Sequence, residues 1–250
     1  MTVSSDDELT ALKRIGRIVA DALEAMGRAI EPGMTTGDLD RIGRAVLEAA
    51  GARPAPELVY GFPGATCISV NEEVAHGIPG ERRIAPGDLV NIDVSAERDG
   101  YFADTGASFA VPPATRAVER LCRDGRRALW TGLRQVGSDR PLAGIGRAVG
   151  DFARRNGYTL VRNLASHGVG TALHEEPTEI ATWPDAAERR RMREGMVLTV
   201  EPFLSLGAEF AEDGDGPWTL YSRPRALTVQ YEHTVVATRN GPLVLTMPGR

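Results

Sequence analysis

Apolar positions near the start of the chain recur at helical spacing. Leu9, Leu12, Ile15, Val19, Leu23 and Met26 mark one face of a helix that ends near Pro32-Gly33. Ser5-Asp6-Asp7-Glu8 ahead of it has the spacing at which a Ser and a Glu satisfy each other's free backbone donors. A second helix is expected from Thr36, carrying Leu39, Ile42, Val46 and Leu47 until Gly51. Arg53 to Gly64 holds three Pro and two Gly and reads as loop. The period then changes. Residues 66–70 and 89–94 are rich in β-branched side chains and read as strands.

The second half repeats that order. Helical patterns cover roughly 114–136 and 142–156, and strand-like runs follow at 196–200, 227–230 and 234–237. Ile42-Gly43-Arg44-Ala45-Val46 recurs as Ile145-Gly146-Arg147-Ala148-Val149, each copy in the second helix of its half. Two helices followed by strands, twice over, predict a pseudo-twofold α+β domain with helices packed on a curved antiparallel sheet. One domain over 1–250 is expected, with halves of about 1–113 and 114–250.

Composition adds limits. At 250 residues, 42% hydrophobic and 25% charged, the chain is an ordinary globular sequence. A net charge of −5 offers no footprint for nucleic acid. Lys13 is the only Lys, a bias toward Arg without functional content. The acidic, polar N-terminus lacks the features of a signal peptide, no apolar run reaches a membrane span, and two cysteines make no disulfide framework. A cytoplasmic location is the expectation.

Chemistry enters with the acids. Asp93 interrupts an apolar strand pattern, an expensive place for an ion without a partner. The turn at Glu97-Arg98-Asp99-Gly100 returns the chain toward Asp104. An Asp99-Gly100 loop makes Asp93 and Asp104 diagonal neighbours on one face; an Arg98-Asp99 loop makes them directly opposed; a slip by one residue separates them. Of the four histidines, His167 and His174 flank a glycine-rich loop in which Gly168 would let backbone approach a ligand, and His76 precedes another glycine. His233 adjoins Glu232 in a strand pattern, so at most one of that pair faces a common site. Glu201 ends the apolar run 197–200. Acids set in separate strands repel one another unless protonated or neutralised by cations. Four carboxylates with one imidazole suit a pair of divalent ions such as Mn, Fe, Co or Zn, and such a pair supports hydrolysis.

Cys67-Ile68-Ser69-Val70-Asn71, His76-Gly77-Ile78-Pro79, Asn91-Ile92-Asp93, Asp99-Gly100-Tyr101, Asp104-Thr105, His167-Gly168-Val169-Gly170, His174-Glu175-Glu176-Pro177, Glu201-Pro202 and Gln230-Tyr231-Glu232-His233-Thr234 occur in that order. From about residue 8 to 247 the chain resembles type I methionine aminopeptidases. The resemblance implies the pita-bread fold, two related αβ halves around a central metal site. It implies two metal ions held by Asp93, Asp104, His167, Glu201 and Glu232, with Asp104 and Glu232 as bridges. It further implies Glu201 as a proton carrier, His174 as oxyanion stabiliser and His76 as contact to the scissile amide or leaving amine. Phe62, Cys67 and Trp218 match the wall of the methionine pocket.

Three stretches depart from the family's common pattern. Phe102-Ala103-Asp104-Thr105-Gly106-Ala107 stands where the family commonly reads His-Gly-Asp-Thr-Ser-Arg; Val59 stands for a frequent Tyr, and Leu173 for an aromatic residue. Val59 and Leu173 are therefore expected to loosen the pocket. Expected partners are the N-termini of nascent proteins and peptides, with transient ribosome contact, for a monomer without specific nucleic-acid or membrane partners. The rival readings are an Xaa-Pro exopeptidase of the same fold, which typically reads Glu-Asn at 232–233, and a catalytically dead binding protein, which typically loses ligands.

Overall fold

The computed structural model describes residues 1–249. Helix α1 (Asp6–Ala29) starts where the spacing predicts, with the Ser5 hydroxyl accepting from the Glu8 N–H at 3.2 Å. The return half of that cap differs: the Glu8 carboxylate accepts from the Ser4 N–H and hydroxyl instead of from Ser5. Helix α2 (Thr36–Ala49) has the full reciprocal cap, between Thr35 and Asp38. Leu12, Ile15, Val19 and Met26 are fully buried, and each such side chain contributes about 1.5–3 kcal/mol of burial.

The expected loop at 53–64 is in part ordered structure. Strand β1 (Arg53–Pro54) leads into helix α3 (Ala55–Tyr60). Proline fits there because first-turn N–H groups have no helical partner to lose, and Gly61, at φ 67, closes the helix in the left-handed region. Arg44 of α2 pairs with Glu57 through two N–H groups, tying α3 down.

The chain continues through β2 (Cys67–Val70), β3 (Glu73–Ala75), β4 (Leu89–Arg98) and β5 (Tyr101–Ala110), then α4 (Arg116–Leu133) and α5 (Ala143–Asn156). Ten strands follow: β6 (Thr159–Leu160), β7 (Ser166–Gly168), β8 (Glu175–Ile180), β9 (Val197–Val200), β10 (Phe203–Ser205), β11 (Phe210–Asp213), β12 (Leu220–Arg223), β13 (Thr228–Gln230), β14 (Glu232–Thr238) and β15 (Gly241–Val244). The main sheet has the order β1-β4-β5-β14-β9-β7-β8, with β2 beside β4 and β15 beside β14, and every pairing in it is antiparallel. Two three-stranded sheets, β13-β10-β6 and β11-β12-β3, flank it. The repeated five-residue segments fall in α2 and α5. No described helix is long and apolar enough to cross a membrane.

Alternation decides which face does what. Val90, Ile92, Val94 and Ala96 of β4 pack in a core with Ile15, Val19 and Met26 of α1. Val235 and Ala237 of β14 join a second core with Leu121, Leu129 and Leu133 of α4. Asp93 on β4, Glu232 on β14 and, beside buried Ala103, Asp104 on β5 stand out of phase with these core residues and point to the opposite face. That face carries the site.

Candidate active site

The hairpin loop is Asp99-Gly100. Arg98 pairs with Tyr101, and Asp99 and Gly100 have φ values of 54 and 86, the two positive angles a type I′ turn requires. In this register Asp93 lies opposite Gly106 and Asp104 opposite Ser95, so the two carboxylates are diagonal neighbours on one face. On the far side of β5, Glu232 also lies opposite Gly106. Gly106 thus sits between Asp93 and Glu232 in a row across three strands.

The other members arrive from β7 and β9. The His167 N–H donates to the Thr199 hydroxyl at 3.1 Å, and the Glu201 N–H donates to the Ser166 hydroxyl at 2.9 Å. These bonds seat His167 and Glu201 side by side. His167 Nε2 lies 3.6 Å from Glu201 Oε1 and 3.9 Å from Asp104 Oδ2. Ligand atoms of Asp104, His167 and Glu232 all lie within 4.8 Å of one another.

His167 does not neutralise the acids. Burial, and then the charge of His174, push its pKa down to about 3. Its Nδ1 lies 2.9 Å from the Gly168 carbonyl; in the neutral ring that nitrogen donates, and the bare Nε2 faces the carboxylates. Gly168 serves this arrangement differently from the sequence expectation. A Cβ there would lie 2.6 Å from the Glu176 carbonyl oxygen, so the glycine admits strand β8, not a ligand.

The acids are held at a cost. Burial first, then neighbouring carboxylates, push Asp104, Glu201 and Glu232 well above the usual carboxyl range. Burial raises Asp93 as well, against opposing hydrogen bonds and the His76 charge. Asp104 Oδ1 and Glu232 Oε1 are buried and accept no hydrogen bond. Buried carboxyls with orphaned oxygens, gathered beside a bare imidazole nitrogen, suit divalent cations, the partner that removes repulsion among them.

Gln230 braces this cluster, a role the sequence reading missed. Its amide Nε2 donates to Asp93 Oδ2 and Glu232 Oε2, each at 3.1 Å, while Asn91 Nδ2 donates to Gln230 Oε1 at 2.9 Å. Residues 230 and 232 are two apart in extended chain and share a face, a spacing that would have found it.

Above the cluster lies a cavity of about 370 Å³. Phe62, Cys67, His76, His174 and Trp218 line it together with Asp93, Asp104, His167 and Glu201. The Phe62 and Trp218 rings meet edge to face, centroids 5.3 Å apart, and Cys67 is buried opposite Asp93. His76 holds φ 55, a strained conformation for a residue with a Cβ. The His174 ring lies 4.0 Å from that of His167. Burial, then the His76 charge, lower the His174 pKa.

One expectation changes here. Val59 is exposed and does not line the cavity; Tyr60, the next residue of α3, does. Leu173 is buried in the cavity wall as expected. His233 faces away, its Nδ1 2.9 Å from the Thr246 hydroxyl and its ring against Trp130.

The model of metallopeptidase family M24 matches residues 10–239. Methionine aminopeptidase 2 of Bacillus subtilis (strain 168) is 47% identical over 248 residues, 98% of this chain and 99% of that protein. Among solved structures, the methionine aminopeptidase from Rickettsia prowazekii superposes with a TM-score of 0.93 at 30% identity, covering 99% of this chain and all of that one. The prolidase from Pyrococcus horikoshii OT3 matches at a TM-score of 0.79 and 22% identity, with 64% of its length covered, a likeness of fold alone.

Proposed function

From the premise that the chain belongs to metallopeptidase family M24, we propose that it removes N-terminal methionine from peptides and proteins, with Asp93, Asp104, His167, Glu201 and Glu232 holding two divalent ions. The observation that carries this reading is the buried, cation-demanding cluster at the floor of an apolar-walled cavity. When bound, such ions supply Lewis acidity and a hydroxide-like nucleophile at neutral pH. Four carboxylates and one nitrogen favour Mn, Fe, Co or Zn.

The remaining roles belong to the chain's own side chains. Phe62, Cys67 and Trp218 receive the methionine side chain, whose thioether is at ease against soft and aromatic surfaces. Glu201, buried beside the His167 ring with its Oε1 3.6 Å from His167 Nε2, takes and returns a proton during hydrolysis. Neutral His174 donates an N–H to the oxygen that gains charge as the first peptide carbonyl becomes tetrahedral. His76, held over the cavity by its left-handed backbone, contacts the scissile amide or the leaving amine.

We take residues 1–250 as one catalytic domain that acts as a cytoplasmic monomer on nascent N-termini, in transient contact with ribosomes. The test is hydrolysis of Met-Ala-Ser, Ala-Pro and Leu-Gly peptides by metal-reconstituted protein. Met-Ala-Ser should be cleaved fastest; faster cleavage of Ala-Pro would overturn the methionine assignment.

A further inference from the structure

Helix α3 delivers Tyr60 to the rim of the cavity, outside both the carboxylate cluster and the Phe62–Trp218 wall. Its phenol oxygen lies 2.6 Å from His174 Nδ1, with ring centroids 5.9 Å apart. The helix is anchored at both ends, by the Arg44–Glu57 pair and by the left-handed Gly61 that follows Tyr60. The phenol therefore meets the imidazole edge from a fixed point, while the His167 ring packs beside it.

The chemistry of the two groups sets the direction of that bond. A neutral imidazole carries one N–H and one bare nitrogen. The bare nitrogen is a stronger acceptor than a phenol oxygen, and a phenol O–H is a stronger donor than an imidazole N–H. The Tyr60 hydroxyl thus donates to Nδ1, which leaves the hydrogen of His174 on Nε2. Tautomer and ring orientation of a histidine are set in this way by the partner of its other nitrogen.

We propose that Tyr60 is a positioning residue: its hydroxyl holds His174 as the Nε2–H tautomer, turned so that this N–H serves the reacting carbonyl. The inference rests on the reading of His174 as donor to the developing oxyanion. It also gives Tyr60 a role in place of Val59, the pocket residue expected from the sequence.

Tyr60 is 48% exposed, so Tyr60→Phe removes the hydroxyl and leaves the ring and the fold. The experiment is a double-mutant cycle on metal-loaded enzyme with Met-Ala-Ser, comparing Y60F, H174A and the double variant. In the wild-type background Y60F should lower kcat roughly five- to tenfold, the rate equivalent of one neutral hydrogen bond, with KM within about twofold. In the H174A background the same change should cost less than about twofold, because groups that act as a unit are not additive. Nitrogen-15 spectra of the zinc-loaded enzyme should show His174 Nδ1 as the acceptor in wild type and a mixture of tautomers in Y60F. Equal losses in both backgrounds, a KM rise at unchanged kcat, or an unaltered His174 signal would each overturn the role. If H174A itself keeps full kcat, the oxyanion reading fails first and takes the Tyr60 role with it.

Discussion

Gly106→Ala should weaken metal binding without touching a ligand. A Cβ at this position would lie 2.2 Å from Gln230 Oε1, 2.6 Å from Nε2 and 2.7 Å from Cδ. The backbone cannot retreat, because Gly106 is held between Asp93 of β4 and Glu232 of β14. What yields is the Gln230 amide, the far end of a flexible side chain. Moving it breaks the donations to Asp93 and Glu232 and the bond from Asn91. Loss of a group that orients metal ligands costs on the order of 10–100-fold in affinity, about 1.4–2.7 kcal/mol.

Calorimetric titration of the metal-free protein with Co(II) or Mn(II) measures the effect. Folding by itself should change little, since Ala in a strand is favoured over Gly by about 0.5–1 kcal/mol. The metal-induced gain in Tm should therefore shrink while the metal-free Tm stays near wild type. Gln230→Met should reproduce the affinity loss, and the double variant should lose no more than either single one. An affinity for G106A within about twofold of wild type would refute the amide brace.

Three further outcomes are expected. His174→Ala should lower kcat about 10²–10³-fold while metal affinity by titration is unchanged; unchanged kcat in the fully metallated variant would remove the oxyanion role. Asp104, Glu201 and Glu232 have raised folded pKa values, so the metal-free fold binds more protons than the unfolded chain and loses stability as pH rises through those values; the histidines, all lowered in the fold from 6.5, act oppositely only below about that pH. The metal-induced Tm gain should therefore grow as pH rises from the usual carboxyl range, as scanning fluorimetry would register; a gain that shrinks with pH contradicts the cation-demanding cluster. Leu173, smaller than an aromatic residue in the cavity wall, should let norleucine- and Leu-initiated peptides react at a detectable fraction of the Met rate; Leu173→Phe should cut that fraction about tenfold in kcat/KM, and strict Met selectivity in the wild type would remove the looser-pocket idea.

The long elements were legible in the sequence because each buries one continuous face. The periodicity of α1, α2 and α5 and the existence of the β4–β5 hairpin follow from spacing alone, although spacing leaves its loop open between Asp99-Gly100 and Arg98-Asp99. Strands such as β6, β7 and β10, of two or three residues, are too short to show a period, and their pairing is decided by neighbours remote in sequence. Helix α3 was hidden for a different reason. Its prolines read as loop, although Pro in a first turn and Gly just past the end are also the marks of a short helix.

The same contrast separates the site residues that sequence exposes from those it conceals. Asp93, Asp104, Glu201 and Glu232 violate the pattern of the strands that carry them: each places an ionisable group where folding alone favours an apolar or paired one, and that violation is visible without a structure. Tyr60, Gln230 and Leu173 violate nothing. A tyrosine at a helix end, a glutamine in a strand and a leucine in a wall are ordinary residues whose roles come only from what they touch: a histidine nitrogen, two carboxylates, a cavity. Groups that bind metal break folding rules and announce themselves, whereas the neutral groups that orient them are found by distance. Substitutions at Tyr60 and Gly106 therefore test whether rate and metal affinity depend on residues less legible than the ligands, while leaving all five proposed ligands in place.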